Sequence, residues 1–234
     1  VNTLNIGSNT LTGPVDIRRT NLQKVLLACG IVSSFLYIVA TVLGALRWEG
    51  YSSTAQTVSE LIAIDAPSAP VVIPMFVIYS LLIYAFGAGV WMSAGQKQAL
   101  RVAAGLIVAK EVLGMFVLFF APIHLRGVEG NLSDTMHGVF TGVGVLLCMF
   151  PAMGFAASAL GKRFRLYSIG TMLVFLVCGV LAGLDQPNLV ANLPTPWMGV
   201  WERINIFGYM LWIVVLAFLL IRAQTGDLSV KERG

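Results

Sequence analysis

Two short stretches hold most of the side chains suited to acid–base or nucleophilic chemistry. The run Ser133-Asp134-Thr135-Met136-His137 reads as a helix start capped by Asn131 or Ser133, with Asp134 and His137 three residues apart on one face. An Asp beside a His can fix the imidazole tautomer and raise its basicity, which suits a general base or a metal ligand. Asp134 in the first turn also complements the helix N-terminus, a purely structural role. Ser59, in Val58-Ser59-Glu60-Leu61, is the candidate nucleophile that His137 would activate. Glu202-Arg203 places a guanidinium fork beside a carboxylate, able to clamp an anionic head group or to tie its helix to Arg47, Glu49 or Glu60.

A further carboxylate, Glu111, follows Lys110 inside an apolar stretch, where each charge costs about 2.5–3.5 kcal/mol on insertion scales. Helical neighbours point about 100° apart and cannot satisfy each other well, so each is expected to need a partner on another helix, a bound water or a ligand. Tyr37, Tyr79, Tyr84, Ser80, Thr141 and Tyr209 are the intramembrane hydroxyls that could meet Glu111. Lys110 stands near enough to the start of its span to snorkel. The chain has 2 histidines, which excludes a three-His zinc centre. His124 and His137 with a carboxylate such as Asp134 or Glu60 leave a mixed metal site open, and no other cofactor is evident.

These groups have to be positioned by membrane helices. Of 234 residues, 57% are hydrophobic and 11% charged, and the mean hydropathy is +0.84, whereas soluble domains carry about 25% charge. A water-soluble enzyme and a disordered or fibrous chain are thereby excluded. Six apolar runs are long enough to cross the bilayer as helices, about Val25–Leu46, Val71–Met92, Val102–Pro122, Thr135–Leu160, Leu166–Leu184 and Ile204–Ile221. The predicted fold is an all-α polytopic bundle, with a polar tail over 1–24, a six-helix domain over 25–222 and a second tail over 223–234. Pro74 and Pro151 predict kinks, and small residues along span four predict close helix contact.

Eleven of the 15 basic residues flank one side: Arg18, Arg19, Lys24, Lys97, Arg101, Lys162, Arg163, Arg165, Arg222, Lys231 and Arg233. The positive-inside rule makes that side, with both termini, cytoplasmic and places the chain in the cytoplasmic membrane. The net charge of +4 is then a topology signal rather than a nucleic-acid footprint. The first span reads as an uncleaved anchor, since its apolar run exceeds a signal-peptide core. Cys29, Cys148 and Cys178 lie inside spans, where a thiol behaves as a small apolar group. In the first external loop, Ser53 or Thr54 is expected to cap a short re-entrant or interfacial helix whose Val58, Leu61 and Ile62 face the bilayer surface.

The chain resembles the prokaryotic six-span membrane family catalogued as domain of unknown function 998. The resemblance rests on Gly50-Tyr51 with Val58-Ser59-Glu60-Leu61, on Ala121-Pro122, on Met136-His137-Gly138, and on Trp201-Glu202-Arg203-Ile204 running into Trp212. It implies the six-span fold and no established reaction. Members often show a second His soon after the one opening span four; here Thr141 and Val143 occupy that stretch.

Three functions follow from these residues. The leading one is a non-enzymatic membrane protein whose external polar cup, built on Glu60, His137, Glu202 and Arg203 with Arg47 and Glu111, binds a small or lipid-like ligand or docks a partner. The second is an intramembrane hydrolase or lipid-modifying enzyme using His137 as base, Asp134 as its orienter, Ser59 as nucleophile and Arg203 as clamp. The third is a transporter with Glu111 as its ion site.

Overall fold

The computed structural model describes residues 14–231, with side chains described over 18–224. All regular structure among the described residues is helical. Six helices are long and apolar enough to span a bilayer, over Arg18–Arg47, Ala69–Ser93, Gln98–Phe120, Leu132–Ala159, Lys162–Val190 and Met198–Gln224. The chain is a multi-pass membrane protein. Each expected crossing is present, and most begin several residues earlier because polar and basic flanks continue the helix.

Helix α1 (Pro14–Arg47) takes in part of the expected N-terminal tail; the rest of that tail, 1–13, and the last residues, 232–234, lie outside the described residues. Helices α2 (Ala69–Ser93) and α3 (Gln98–Phe120) follow as straightforward crossings. The fourth crossing is composite: α4 (Leu132–Val143), a π segment (Gly144–Met149) and α5 (Phe150–Ala159). Pro151 accounts for that break, because it lacks the N–H that would hold the preceding turn in α-geometry, and Phe150 N–H instead reaches back to Val145 O. Helix α6 (Lys162–Leu184) leads into a short α7 (Gln186–Val190), and α8 (Met198–Lys231) closes the bundle.

The main core gathers Leu27, Phe86, Ile107, Met153, Trp212 and Leu216, all fully enclosed, where α1, α2, α3, α5 and α8 meet. The buried Trp212 indole N–H donates to Ser168 Oγ at 2.9 Å, which satisfies its polar edge in the absence of water. Outward-facing Phe35, Leu46, Phe120, Leu166 and Leu184 are 60–79% exposed, as expected of surfaces solvated by lipid. Gly89 permits a close approach of α2 to the α1 backbone, since a Cβ there would lie 2.9 Å from Leu27 N.

The connection between α1 and α2 differs from its sequence expectation. In place of an interfacial helix there is one 3-10 turn, Ser59–Ile62, without a side-chain cap. Val58 and Leu61 face inward, packed with Ala40, Val72 and Phe76. The apolar residues read as bilayer-facing therefore plug the bundle. Ser68 Oγ, itself buried, pins the segment by donating to Leu61 O at 2.7 Å.

Candidate functional site

Around that plug, the polar residues form two layers. The upper layer is a clasp. Glu60 is 2% exposed and bonds bidentately to Arg126, with Nη2 to Oε2 at 2.9 Å. Thr57 donates to the same carboxylate through N–H (2.7 Å) and Oγ1 (3.0 Å), so the charge is both paired and solvated by donors. The Arg126 fork also reaches Thr195 Oγ1 at 2.7 Å and Ala55 O at 2.8 Å, which joins the connections flanking α2, α4 and α8.

Arg203 on α8 completes the clasp. Its Nη1 donates to Ser53 O (2.6 Å), Gln56 O (2.7 Å) and Gly199 O (3.0 Å), and its Nη2 to the Tyr51 hydroxyl. Burial pushes the Tyr51 phenol up to about 12, against the pull of Arg203. It therefore stays protonated and donates a hydrogen bond to Thr57 O at 2.7 Å. Glu202 accepts from Val58 N–H rather than pairing with its neighbour. The sequence expectation of a tie from Glu202-Arg203 to Arg47, Glu49 or Glu60 is corrected in its partners, which are backbone groups of the plug. Arg47 is exposed and joins none of these bonds. Glu60 is engaged by Arg126 and Thr57, Arg203 by carbonyls of the plug and Glu202 by Val58 N–H, so these three serve the clasp, whereas His137 and Glu111 line a separate cavity.

The Asp134–His137 pairing is corrected too. Asn131 caps α4 through a capping box, with its side chain accepting from Ser133 N–H at 2.7 Å and Asp134 accepting from Asn131 N–H at 2.8 Å. The other half of Asp134 goes to His124, through backbone N–H and Nδ1, both at 2.8 Å. A short carboxylate at a helix start is claimed by the donors of the preceding loop before it can reach a side chain one turn on. His124 and His137 are thus held apart by separate partners, and among the described residues no group of three or more His, Cys, Asp or Glu is placed to hold a metal ion.

His137 meets Ser59 instead. Its Nδ1 lies 2.9 Å from Ala121 O, and its Nε2 lies 3.2 Å from Ser59 Oγ. A carbonyl can only accept, so Nδ1 carries the proton and the lone pair of Nε2 faces the serine hydroxyl, which donates to it. The backbone supplies the orientation assigned to Asp134 from the sequence. Ala121 ends α3 just before Pro122, which leaves a helix-terminal carbonyl free to accept. Ser133 Oγ fixes the same corner by donating to Pro122 O at 2.6 Å.

Ser59 and His137 stand at the upper wall of the second layer, a cavity of about 140 Å³ walled by α1, α2, α3, α4 and the 3-10 turn. Its floor is Glu111, 3% exposed, which accepts from Ser80 Oγ at 2.6 Å and from Lys110 Nζ at 3.3 Å. Adjacent Lys110 and Glu111 meet only at the long distance of 3.3 Å, and the shorter bond to Glu111 comes from Ser80 on another helix, in line with the expectation that the two neighbours cannot satisfy each other well. The flexible lysine stem curls back over the Tyr209 ring, 5.6 Å from its centroid, instead of snorkelling. Phe76, Val117 and Leu118 give the cavity an apolar side.

Thr195 and Ala121 stand outside the sequence-derived candidates, and Arg126, one of three basic residues at the external helix ends with Arg47 and Arg203, was given no role in the site. No curated protein and no solved structure matches the chain. Residues 31–219 match the model of the family described as Protein of unknown function (DUF998), and the chain belongs to that family.

Proposed function

We propose that the protein is a membrane-embedded acyl-transfer enzyme, a hydrolase or acyltransferase of lipid esters, with Ser59 as nucleophile and His137 as general base. The observation that carries this reading is the Ser59 Oγ to His137 Nε2 bond at 3.2 Å, with Nδ1 held on Ala121 O, at the wall of a cavity. Nucleophile, base and orienter within bonding reach of one another are the minimal arrangement for activating a hydroxyl. Of the groups in the alternative polar cup, Glu60, Glu202 and Arg203 are engaged in the clasp, whereas His137 and Glu111 line this cavity.

In the reaction, Ser59 Oγ attacks the ester carbonyl carbon while its proton passes to His137 Nε2. Collapse of the tetrahedral adduct breaks the bond to the alcohol, which leaves with that proton. Water or a second alcohol then reverses the sequence and frees Ser59. At about 30 Å³ per water-sized group, the cavity of about 140 Å³ takes the reacting ester and a few carbons. Longer acyl chains would extend between helices into the bilayer. The distribution of Lys and Arg supports a cytoplasmic-membrane protein with both termini inside and the Ser59 end facing out.

The test uses purified protein in lipid nanodiscs with a fluorogenic short-chain ester and a fluorophosphonate probe. Ser59 is expected to take the label, and Ser59→Ala or His137→Ala to lower turnover at least 100-fold without changing the unfolding midpoint by more than a few degrees. Turnover that persists in Ser59→Ala, or labelling elsewhere only, overturns the assignment.

A further inference from the structure

The floor of the cavity carries bonding capacity that nothing in the chain uses. Tyr79 is 3% exposed and lines the cavity beside Glu111, where its hydroxyl faces the carboxylate without a well-formed hydrogen bond to any group of the chain. Buried tyrosine hydroxyls ordinarily find one. Glu111 spends one bond on Ser80 and a long one on Lys110, although a carboxylate can accept about four. Lys110 has three protons to donate and one is engaged with Glu111.

We infer that Tyr79, Ser80, Lys110 and Glu111 form a subsite for a lipid-borne hydroxyl group, so that the substrate is a lipid ester carrying a free alcohol, such as a partially acylated polyol. A hydroxyl is the group that both donates and accepts, which matches an unspent carboxylate oxygen beside unspent Tyr79 and Lys110 donors. An anionic group would be repelled by Glu111, and an ammonium group by Lys110. The lipid origin follows from position: Glu111 stands near the middle of α3, and the wall above it is Phe76, Val117 and Leu118, which suits hydrocarbon rather than a free polyol. With the ester at Ser59 and the alcohol at Glu111, one molecule would span the cavity. The ester half rests on the acyl-transfer reading, whereas the hydroxyl subsite stands on its own four residues.

The experiment measures binding to Ser59→Ala protein in phosphatidylcholine nanodiscs, so that turnover is removed from the readout. The ligands are a short-chain monoacylglycerol, the same molecule with its hydroxyls methylated, and free glycerol. The monoacylglycerol is expected to bind, its methylated form to bind at least fivefold more weakly, and glycerol not to compete. Adding Tyr79→Phe should weaken the monoacylglycerol about five- to tenfold and leave the methylated form unchanged. Because Tyr79 makes no well-formed hydrogen bond in the fold, that change should leave the unfolding midpoint within a few degrees. Glu111→Gln is the second variant and should show the same selective loss. Equal binding of free and methylated ligand, affinity indifferent to both variants, or effective competition by glycerol overturns the subsite. Those outcomes with Ser59-dependent turnover intact leave the acyl-transfer reading standing. Turnover independent of Ser59 removes that reading and leaves the subsite.

Discussion

The most consequential single bond is between Glu60 and Arg126, because it buries a carboxylate that only its partners make tolerable. Removing the guanidinium leaves Glu60, 2% exposed, with Thr57 and Gln56 alone. Breaking a buried pair from one side costs about 3–5 kcal/mol, so Arg126→Ala should lower the unfolding midpoint markedly. Arg126→Lys should recover part of the loss, since it restores charge but not the fork that also holds Thr195 and Ala55. Thermal unfolding in detergent measures both. At this scale the sequence was legible in residue type and misleading in partner. Asp134 and His137 do share a helix face, but a loop folds over the helix start and claims the aspartate. Ser59 and His137 were legible as a candidate nucleophile and base, and the structure brings them to 3.2 Å across 78 residues of sequence.

Among the elements, the plug between α1 and α2 is held by α8 through backbone contacts that need a missing side chain. Gly199 faces the carbonyls of Ser53 and Gln56, and a Cβ there would lie 2.6 Å from Ser53 O. Gly199→Ala should lift the plug from α8, lengthen the Arg203 bonds and raise protease or hydrogen-exchange sensitivity across 51–57. The six spans were legible because twenty consecutive apolar residues admit one backbone solution in lipid. The plug was not, because an apolar pattern of Val58, Leu61 and Ile62 suits a bilayer surface and a bundle interior equally. Pro151 announced a break in span four, but its form as a six-residue π segment depends on neighbours the pattern does not contain.

For the molecule as a whole, the arrangement of basic residues predicts which end meets which compartment. Arg163 and Glu129 are exposed at opposite ends of the bundle. In intact cells, a membrane-impermeant maleimide should label Glu129→Cys and should reach Arg163→Cys only after permeabilisation. The reverse pattern would turn the topology over. Composition carried the bundle and its count of crossings, whereas the site came from four separate crossings and a plug, a convergence no local pattern encodes.

The clasp over the plug also bears on how molecules would arrive. Arg126 and Arg203 stitch together the connections on the side of the cavity where Ser59 and His137 stand. If the proposed lipid substrate enters sideways from the leaflet, its encounter rate would scale with its mole fraction in the membrane, so diluting it with inert lipid should slow turnover even when the bulk concentration is held constant.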